Sequence, residues 1–125
     1  MNTEQLSIMM FMSTLDTGGA TLSLCGSAPS AGLVVAVSKD TEKRIPKDKA
    51  TASAIQEYIE GHKDMLIHRW HYFGAWLDDD GFLVLDVVEV FPDRQLTAAI
   101  DAAMAREQEA IYHIGTGKVL RWDQA

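Results

Sequence analysis

The stretch Phe82–Phe91, FLVLDVVEVF, constrains the fold more than any other part of the chain. Valine and phenylalanine fill most of its positions, which favours a long β-strand. Apolar side chains occupy both of its faces, so we expect the strand to lie in the centre of a sheet. Asp80-Gly81, directly before it, is a hairpin signal that predicts antiparallel pairing with a strand over residues 70–77.

The rest of the chain divides into short strands and two helices. Further strands are predicted over residues 6–15, 20–24, 32–37 and 42–45, and on either side of Thr116-Gly117. A helix is predicted to begin near Thr51 or Ser53, because Ser53 and Gln56 have capping-box spacing, and a second one over residues 94–108. This order predicts an α+β fold, with a largely antiparallel sheet of hairpins and two helices packed on one face.

Composition and charge narrow the functional classes. A chain of 125 residues, 47% hydrophobic and 23% charged, has the size and composition of one globular domain, 1–125. Its net charge of −7 argues against nucleic acid as a partner, since affinity for phosphate comes from clustered lysine and arginine. We expect a cytoplasmic protein without a membrane partner, because no basic signal-peptide start and no run of ~20 apolar residues is present.

Asp16-Thr17-Gly18 is the tripeptide on which retroviral-type aspartic peptidases carry their catalytic carboxylate. With one copy per chain, such an enzyme would be a homodimer in which two Asp16 side chains share a proton. The segment that follows lacks the glycine-rich flap hairpin of that fold, and Gly18-Gly19 is explained by a tight turn. We interpret the motif as a turn, with no catalytic residue assigned, and keep the Asp16 peptidase as the alternative hypothesis.

The sequence contains no motif for metal binding or for a catalytic nucleophile. The acidic run Asp78–Asp80 lacks the alternating spacing of a calcium loop. Four histidines are present without zinc-site spacing: His62, His68, His71 and His113. Cys25 is the lone cysteine and lies in no nucleophile motif. No metal and no other cofactor is expected.

Asp86 interrupts the central apolar strand, and a buried carboxylate needs a partner. With a two-residue turn at Asp80-Gly81, Asp86 is predicted to lie opposite Ala75 and to share a face with Phe73 and Val88. The expected partner is a tryptophan N–H, a backbone N–H or an arginine, with Arg69 and Arg94 in reach. The other interpretation is a functional acid.

Trp70, Tyr72 and Trp76 alternate along the neighbouring strand and are predicted to share one face. If helices cover that face, the rings belong to the core. If helices do not cover it, the rings form an apolar patch for a partner protein or for a second copy in a homodimer. These three residues and Asp86 are the predicted binding residues.

Residues 18–37, 72–90 and 109–118 together resemble a group of small uncharacterised proteins of actinobacteria and their phages. The resemblance spans residues 18–122 and rests on the Tyr-x-Gly-x-Trp…Leu-Asp-Val hairpin and on the Ala-Ile…Thr-Gly hairpin. It implies a free-standing small protein, of phage or mobile-element origin, and no particular activity, cofactor or catalytic residue. We therefore expect a non-enzymatic interaction or accessory module, self-associating or, as an acidic protein, binding a basic partner.

Overall fold

The computed structural model describes residues 1–68 and 70–122 of the chain. This part contains three α-helices and seven strands, in the order α1 (Thr3–Thr17), β1 (Gly19–Leu22), β2 (Leu33–Ala36), β3 (Lys43–Pro46), α2 (Ala52–His62), β4 (His71–Leu77), β5 (Phe82–Phe91), α3 (Leu96–Ala105), β6 (Ala110–His113) and β7 (Lys118–Arg121). All strand pairs are antiparallel within one sheet. The predicted α+β fold is confirmed.

The sheet is built around β5, as its sequence predicts. β4 pairs with one edge of β5, while β2 and β3 lie end to end along the other edge. β1 continues the sheet beyond β4, and β6 and β7 continue it beyond β2. Between β2 and β3 the chain leaves the edge in a turn over residues 38–42, directly after the Val37 N–H donates to the Val87 carbonyl at 2.9 Å. This interruption of the ladder lies beside Asp86.

All three helices pack on the same face of the sheet. Odd-numbered residues of β2, β4 and β5 share that face by register. Helices α1 and α2 cover its larger part through buried side chains that pack on β4 and β5: Leu6, Met10, Ile55, Tyr58 and Ile59. Helix α3 covers the remainder, where Ala99 and Ala103 pack against Leu33, Val35 and Ile111. Helices on one face are confirmed, with three rather than two.

Helix α1 replaces the strand predicted over residues 6–15. Its buried residues Leu6, Met10 and Thr14 are spaced four apart, which is one face of a helix and not of a strand. Asn2 begins the helix with a capping box, because its side chain accepts from the Gln5 N–H at 2.8 Å and the Gln5 side chain accepts from the Asn2 N–H at 3.0 Å. The period-two alternation of Ile8, Met10 and Met12 was therefore misleading.

The β4–β5 hairpin has the predicted strands but a different register. Asp78 Oδ1 accepts from the backbone N–H of Asp80 at 3.0 Å and of Phe82 at 2.8 Å, which builds a longer turn than the two-residue one expected. Leu77 consequently pairs with Leu83.

The longer turn changes the position of Asp86. Asp86 pairs with Gly74 and not with Ala75, so it shares a face with Tyr72 and Trp76, while Phe73 lies on the helix-covered face. A shift of one residue in the register exchanges the two faces of a strand. The hydrogen bonds in the turn set the register, and they therefore decide which side chains surround the Asp86 carboxyl.

The remaining boundaries differ from the predictions by a few residues. Thr51, rather than Ser53, caps α2, since its side chain accepts from the Ala54 N–H at 3.1 Å. Helix α3 begins only at Leu96, after a 3₁₀ turn over Asp93–Gln95, and ends at Ala105. Glu107 lies beyond that end with φ of 58°, a left-handed conformation in which an α-helix cannot continue.

Candidate binding groove

The face of the sheet opposite the helices forms a concave groove with a volume of about 1170 Å³. The groove crosses the sheet from β1 to β7. Small and apolar side chains contribute much of its lining: Thr21, Val34, Ala36, Gly74, Trp76, Val88, Tyr112 and Val119. This volume lies just above the roughly 300–1,000 Å³ of small-molecule sites.

Small residues lower the floor of the groove at its centre. Thr21, Gly74 and Asp86 lie side by side in register across β1, β4 and β5. A Cβ atom on Gly74 would lie 2.6 Å from Asp86 Oδ1 and 3.2 Å from Val88 Cγ1. Glycine at this position therefore leaves room for the Asp86 carboxyl group, whose Oδ1 occupies the space that a side chain would need. The two segments of the Tyr-x-Gly-x-Trp and Leu-Asp-Val pattern meet at this point.

Asp86 is a buried carboxyl at the floor of the groove. The residue is 3% exposed, and its Oδ1 has no hydrogen-bond partner among residues 1–68 and 70–122. Burial, together with the nearby Glu42 carboxylate, raises the pKa of Asp86 well above its ordinary value. In the described part of the chain, the hydrogen bond expected from the sequence is thus missing at Oδ1. Of the two candidate arginines, Arg94 lies in the exposed turn before α3, and Arg69 lies outside the described residues. A buried acid of this kind is typical of functional sites.

The turn beside Asp86 is held from the helix side of the sheet. Tyr58 of α2 donates its hydroxyl proton to the Thr41 carbonyl at 2.5 Å, and the Asp40 N–H donates to Ser38 Oγ at 3.1 Å. Burial, and after it the charge of Asp86, raises the pKa of Tyr58, so the phenol remains a proton donor. The position of Glu42 at the rim of the groove is therefore fixed by the core.

The predicted binding residues are only partly brought together. Tyr72 and Trp76 share one face, as predicted, and helices do not cover it. Asp86, which was predicted on the face of Phe73, lies on this face as well. Trp76, 39% exposed, lines the groove, whereas Tyr72 is half-buried outside the lining. Trp70 lies before β4 with φ of 70° and is exposed, so it does not belong to the strand.

The far wall of the groove was not predicted from the sequence. Tyr112 and Val119 face each other as a pair across β6 and β7, are largely exposed, and line the groove. Each is one apolar residue in a short strand, which gives no signal by itself. Their contribution depends on β2 pairing with β6, a contact between residues far apart in the sequence.

Acidic groups dominate the charge of the groove. Six acids are among its lining residues: Glu42, Asp78, Asp79, Asp86, Glu107 and Glu109. Two bases lie with them, Lys39 and Arg121, and Arg121 lies 3.4 Å from Glu109 Oε2. Asp78 is paired with Arg44 at 2.6 Å, but the acids of the lining still outnumber the bases, which favours a cationic ligand.

Asp16 lies in the last turn of α1, where it is exposed. Gly18 ends that helix as its C-cap, with φ of 89°, and its N–H donates to the Thr14 carbonyl at 2.8 Å. The peptidase hypothesis assumed that a strand leads into the Asp-Thr-Gly loop, and this part of it is wrong. The two glycines reverse the chain, as predicted, but between a helix and a strand.

The described residues were also searched for a metal site and for a reactive cysteine. In the ranges 1–68 and 70–122, no three side chains of histidine, cysteine, aspartate or glutamate are placed to hold a metal ion. Cys25 is exposed.

The helices were compared with the requirements of a membrane span. None of the helices in the described part of the chain combines the length and the apolar character that a membrane span requires.

Comparison with protein-family models, with curated proteins and with solved structures finds no match for this chain. The resemblance to actinobacterial and phage proteins, with the origin it implies, stays a prediction. Any functional conclusion must therefore come from the groove itself.

Proposed function

We propose that this protein is a non-enzymatic interaction module that holds a basic, partly apolar segment of a partner protein in the groove. The observation that carries the proposal is a helix-free sheet face that is concave, apolar along its floor and acidic around it. A cytoplasmic location, expected from the sequence, is part of the proposal.

The dimensions of the groove favour an extended polypeptide. The groove crosses six strands, β1-β4-β5-β2-β6-β7. Neighbouring strands lie ~4.8 Å apart, so its length is roughly 24 Å. An extended chain advances ~3.3 Å per residue, and a segment of about seven residues therefore spans it.

The lining favours a segment that alternates basic and apolar side chains. Val34, Val88 and Val119 offer apolar contact, while the acids around them attract lysine and arginine. Trp76 adds an aromatic face on which a cation can lie. The net charge of −7 for the whole chain steers the same kind of partner toward the protein.

The surroundings of Asp86 favour binding over catalysis. Among the described residues that line the groove there is no histidine or cysteine to act with this acid as base or nucleophile. The absence of these two residue types from the lining favours recognition over nucleophilic or histidine-assisted catalysis.

The proposal predicts which peptides the protein selects. From a random library of peptides about twelve residues long, which exceeds the span of the groove, we expect selection of sequences rich in lysine, arginine and apolar residues. Their affinity, measured by calorimetry, should fall as salt is added, because exposed charge pairs are screened. Trp76→Ala should weaken binding about tenfold, since exposed aromatic anchors carry much of the energy of such contacts.

Met12→Ala is the matched control, because Met12 is also an exposed apolar residue but lies on α1, on the other side of the sheet. It should leave the affinity unchanged. Selection of acidic peptides, or a loss of binding with Met12→Ala instead of Trp76→Ala, would contradict the proposal. So would a dimer, measured by light scattering, that Trp76→Ala dissociates, because a second copy would then occupy the groove. Peptide cleavage abolished by Asp16→Asn would favour the peptidase instead.

A further inference from the structure

Outside the groove, three side chains form a hydrogen-bonded chain: Asp93, His113 and Thr116. His113 Nε2 lies 3.1 Å from Asp93 Oδ1, and His113 Nδ1 lies 2.9 Å from Thr116 Oγ1. None of the three lines the groove. A hydroxyl joined to an imidazole, which is in turn joined to a carboxylate, is the arrangement that activates a nucleophile.

The fold brings these side chains together from separate elements. Asp93 begins the 3₁₀ turn between β5 and α3, and His113 ends β6. Thr116 lies in the turn from β6 to β7, which the Gly117 N–H closes by donating to the His113 carbonyl at 2.9 Å. The hairpin therefore holds the Thr116 hydroxyl beside the imidazole, while the start of α3 supplies the carboxylate.

The donors and acceptors in this chain select one form of the imidazole. A carboxylate only accepts hydrogen bonds, so His113 Nε2 carries a proton and donates it to Asp93. In the neutral ring, Nδ1 is then an acceptor, and the Thr116 hydroxyl donates to it. Nδ1 is thereby placed to take the hydroxyl proton, and Asp93 stabilises the imidazolium that results.

The Thr116 hydroxyl is open to an approaching molecule. Thr116 is exposed, and a glycine lies on either side of it in the sequence. Within residues 1–68 and 70–122, the N–H groups of Gly115 and Thr116 donate to no backbone acceptor, which leaves them free for the oxygen of a carbonyl under attack. The net charge of −7 and the exposed Asp93 repel anionic phosphoryl donors, so an uncharged acyl donor fits the site better.

We propose that Thr116 is an acylation site, activated by His113 and Asp93, that takes its acyl group from an uncharged thioester. Thr116 Oγ1 attacks the carbonyl carbon while its proton passes to His113 Nδ1. A bond forms between Oγ1 and this carbon, the carbon–sulfur bond breaks, and the departing thiolate takes the proton from His113. The products are an O-acyl threonine and a free thiol, so each chain is modified once. This modification goes beyond the proposed function and uses residues outside the groove.

The test exposes the full chain to the acetyl thioester of N-acetylcysteamine, with Cys25 alkylated beforehand because its exposed thiol would also react. Mass spectrometry of peptides locates the acetyl groups, and we expect one on Thr116. Thr17 is the internal control, because it is also exposed but its hydroxyl donates to the Ser13 carbonyl at 2.9 Å and not to a base. Thr17 should remain unmodified, and equal acetylation of the two threonines would overturn the inference.

Substitutions separate activation from mere exposure. His113→Gln should slow acetylation of Thr116 about hundredfold, because it removes the general base. Asp93→Ala should slow it less, since this carboxylate is 52% exposed and solvent screens its charge. Thr116→Ser keeps a hydroxyl and should retain the reaction, whereas Thr116→Val should abolish it, with folding checked by circular dichroism. No acetyl group on Thr116, or a rate that His113→Gln leaves unchanged, would contradict the proposal.

Nitrogen NMR of the His113 ring tests the hydrogen-bonded chain without the reaction. In the wild type, we expect the neutral ring to carry its proton on Nε2, and Asp93→Ala should let it exchange between both nitrogens. A neutral ring protonated on Nδ1 would overturn the inference, because that nitrogen then accepts no proton from Thr116. Peptide binding in the groove is measured separately, so failure of the acylation leaves the proposed function standing, and failure of peptide binding leaves the acylation standing.

Discussion

Asp86→Asn is expected to stabilise the protein at pH 8 by about 1–3 kcal/mol, although it removes no clash and adds no contact. The wild-type carboxyl binds its proton more tightly in the folded than in the unfolded state, because burial and Glu42 raise its pKa. The folded state therefore holds more protons between the two pKa values. The stability that depends on protonated Asp86 is fully present below pH ~4, where the carboxyl is protonated in both the folded and the unfolded state. It is lost as the pH rises through the pKa of Asp86 in the folded state.

The measurement is the difference in free energy of unfolding between Asp86→Asn and wild type, from urea titrations at several pH values. Taking the difference removes the contribution of the other acids. We expect it to grow with pH. Glu42→Gln should give a smaller gain of the same sign, because it removes the like charge beside Asp86. Asp79→Asn controls for the loss of one negative charge. A difference that stays constant across the pH range would show that Asp86 holds no tightly bound proton.

Gly32→Ala is expected to destabilise the protein by about 2–5 kcal/mol, because two separate penalties coincide at this position. Gly32 has φ of 127°, a conformation that residues with a Cβ rarely adopt. An added Cβ would also lie 2.5 Å from Val90 Cγ1 and 2.8 Å from the Phe91 carbonyl oxygen. The Val90 methyl group can turn away, but the carbonyl belongs to the backbone of β5. Relief therefore requires β2, which carries Val34 and Ala36 of the groove, to move from the sheet.

Gly61→Ala is the matched control for this substitution. Gly61 lies in α2, and no neighbouring atom lies within 4 Å of its added Cβ. Because alanine favours a helix over glycine, this variant should stabilise the protein by about 0.5–1 kcal/mol. Urea unfolding of both variants measures the contrast. Equal effects would mean that Gly32 does not determine the approach of β2 to β5.

The secondary-structure elements that were predicted correctly are those whose own residues determine them. Phe82–Phe91 is found with its predicted bounds, since β-branched residues on both faces allow no other environment than the middle of a sheet. Helix α1 was mistaken for a strand, because methionine and isoleucine fit either period and the decisive signal was the pair Asn2 and Gln5. Intrinsic preference was weak there, and capping and packing decided the outcome.

Of the four predicted binding residues, Trp76 and Asp86 line the groove, and the shape of the groove was not predictable from the sequence. That Tyr72 and Trp76 share a face follows from strand periodicity. That Asp86 joins them depends on Asp78, whose side chain lengthens the hairpin turn by its hydrogen bonds. The groove also depends on β6 and β7 extending the sheet beside β2, which no local pattern encodes.

The central position of β5 has a consequence for how the protein opens. β5 carries hydrogen bonds along both edges, whereas β1 and β7 end the sheet and are paired along one. Deuterium should therefore replace amide hydrogens first in the outer strands and last in β5, because outer strands detach in smaller fluctuations. If a segment binds across the groove from β1 to β7, as proposed, it connects the outer strands to β5, and amide exchange in the outer strands should slow toward that of β5.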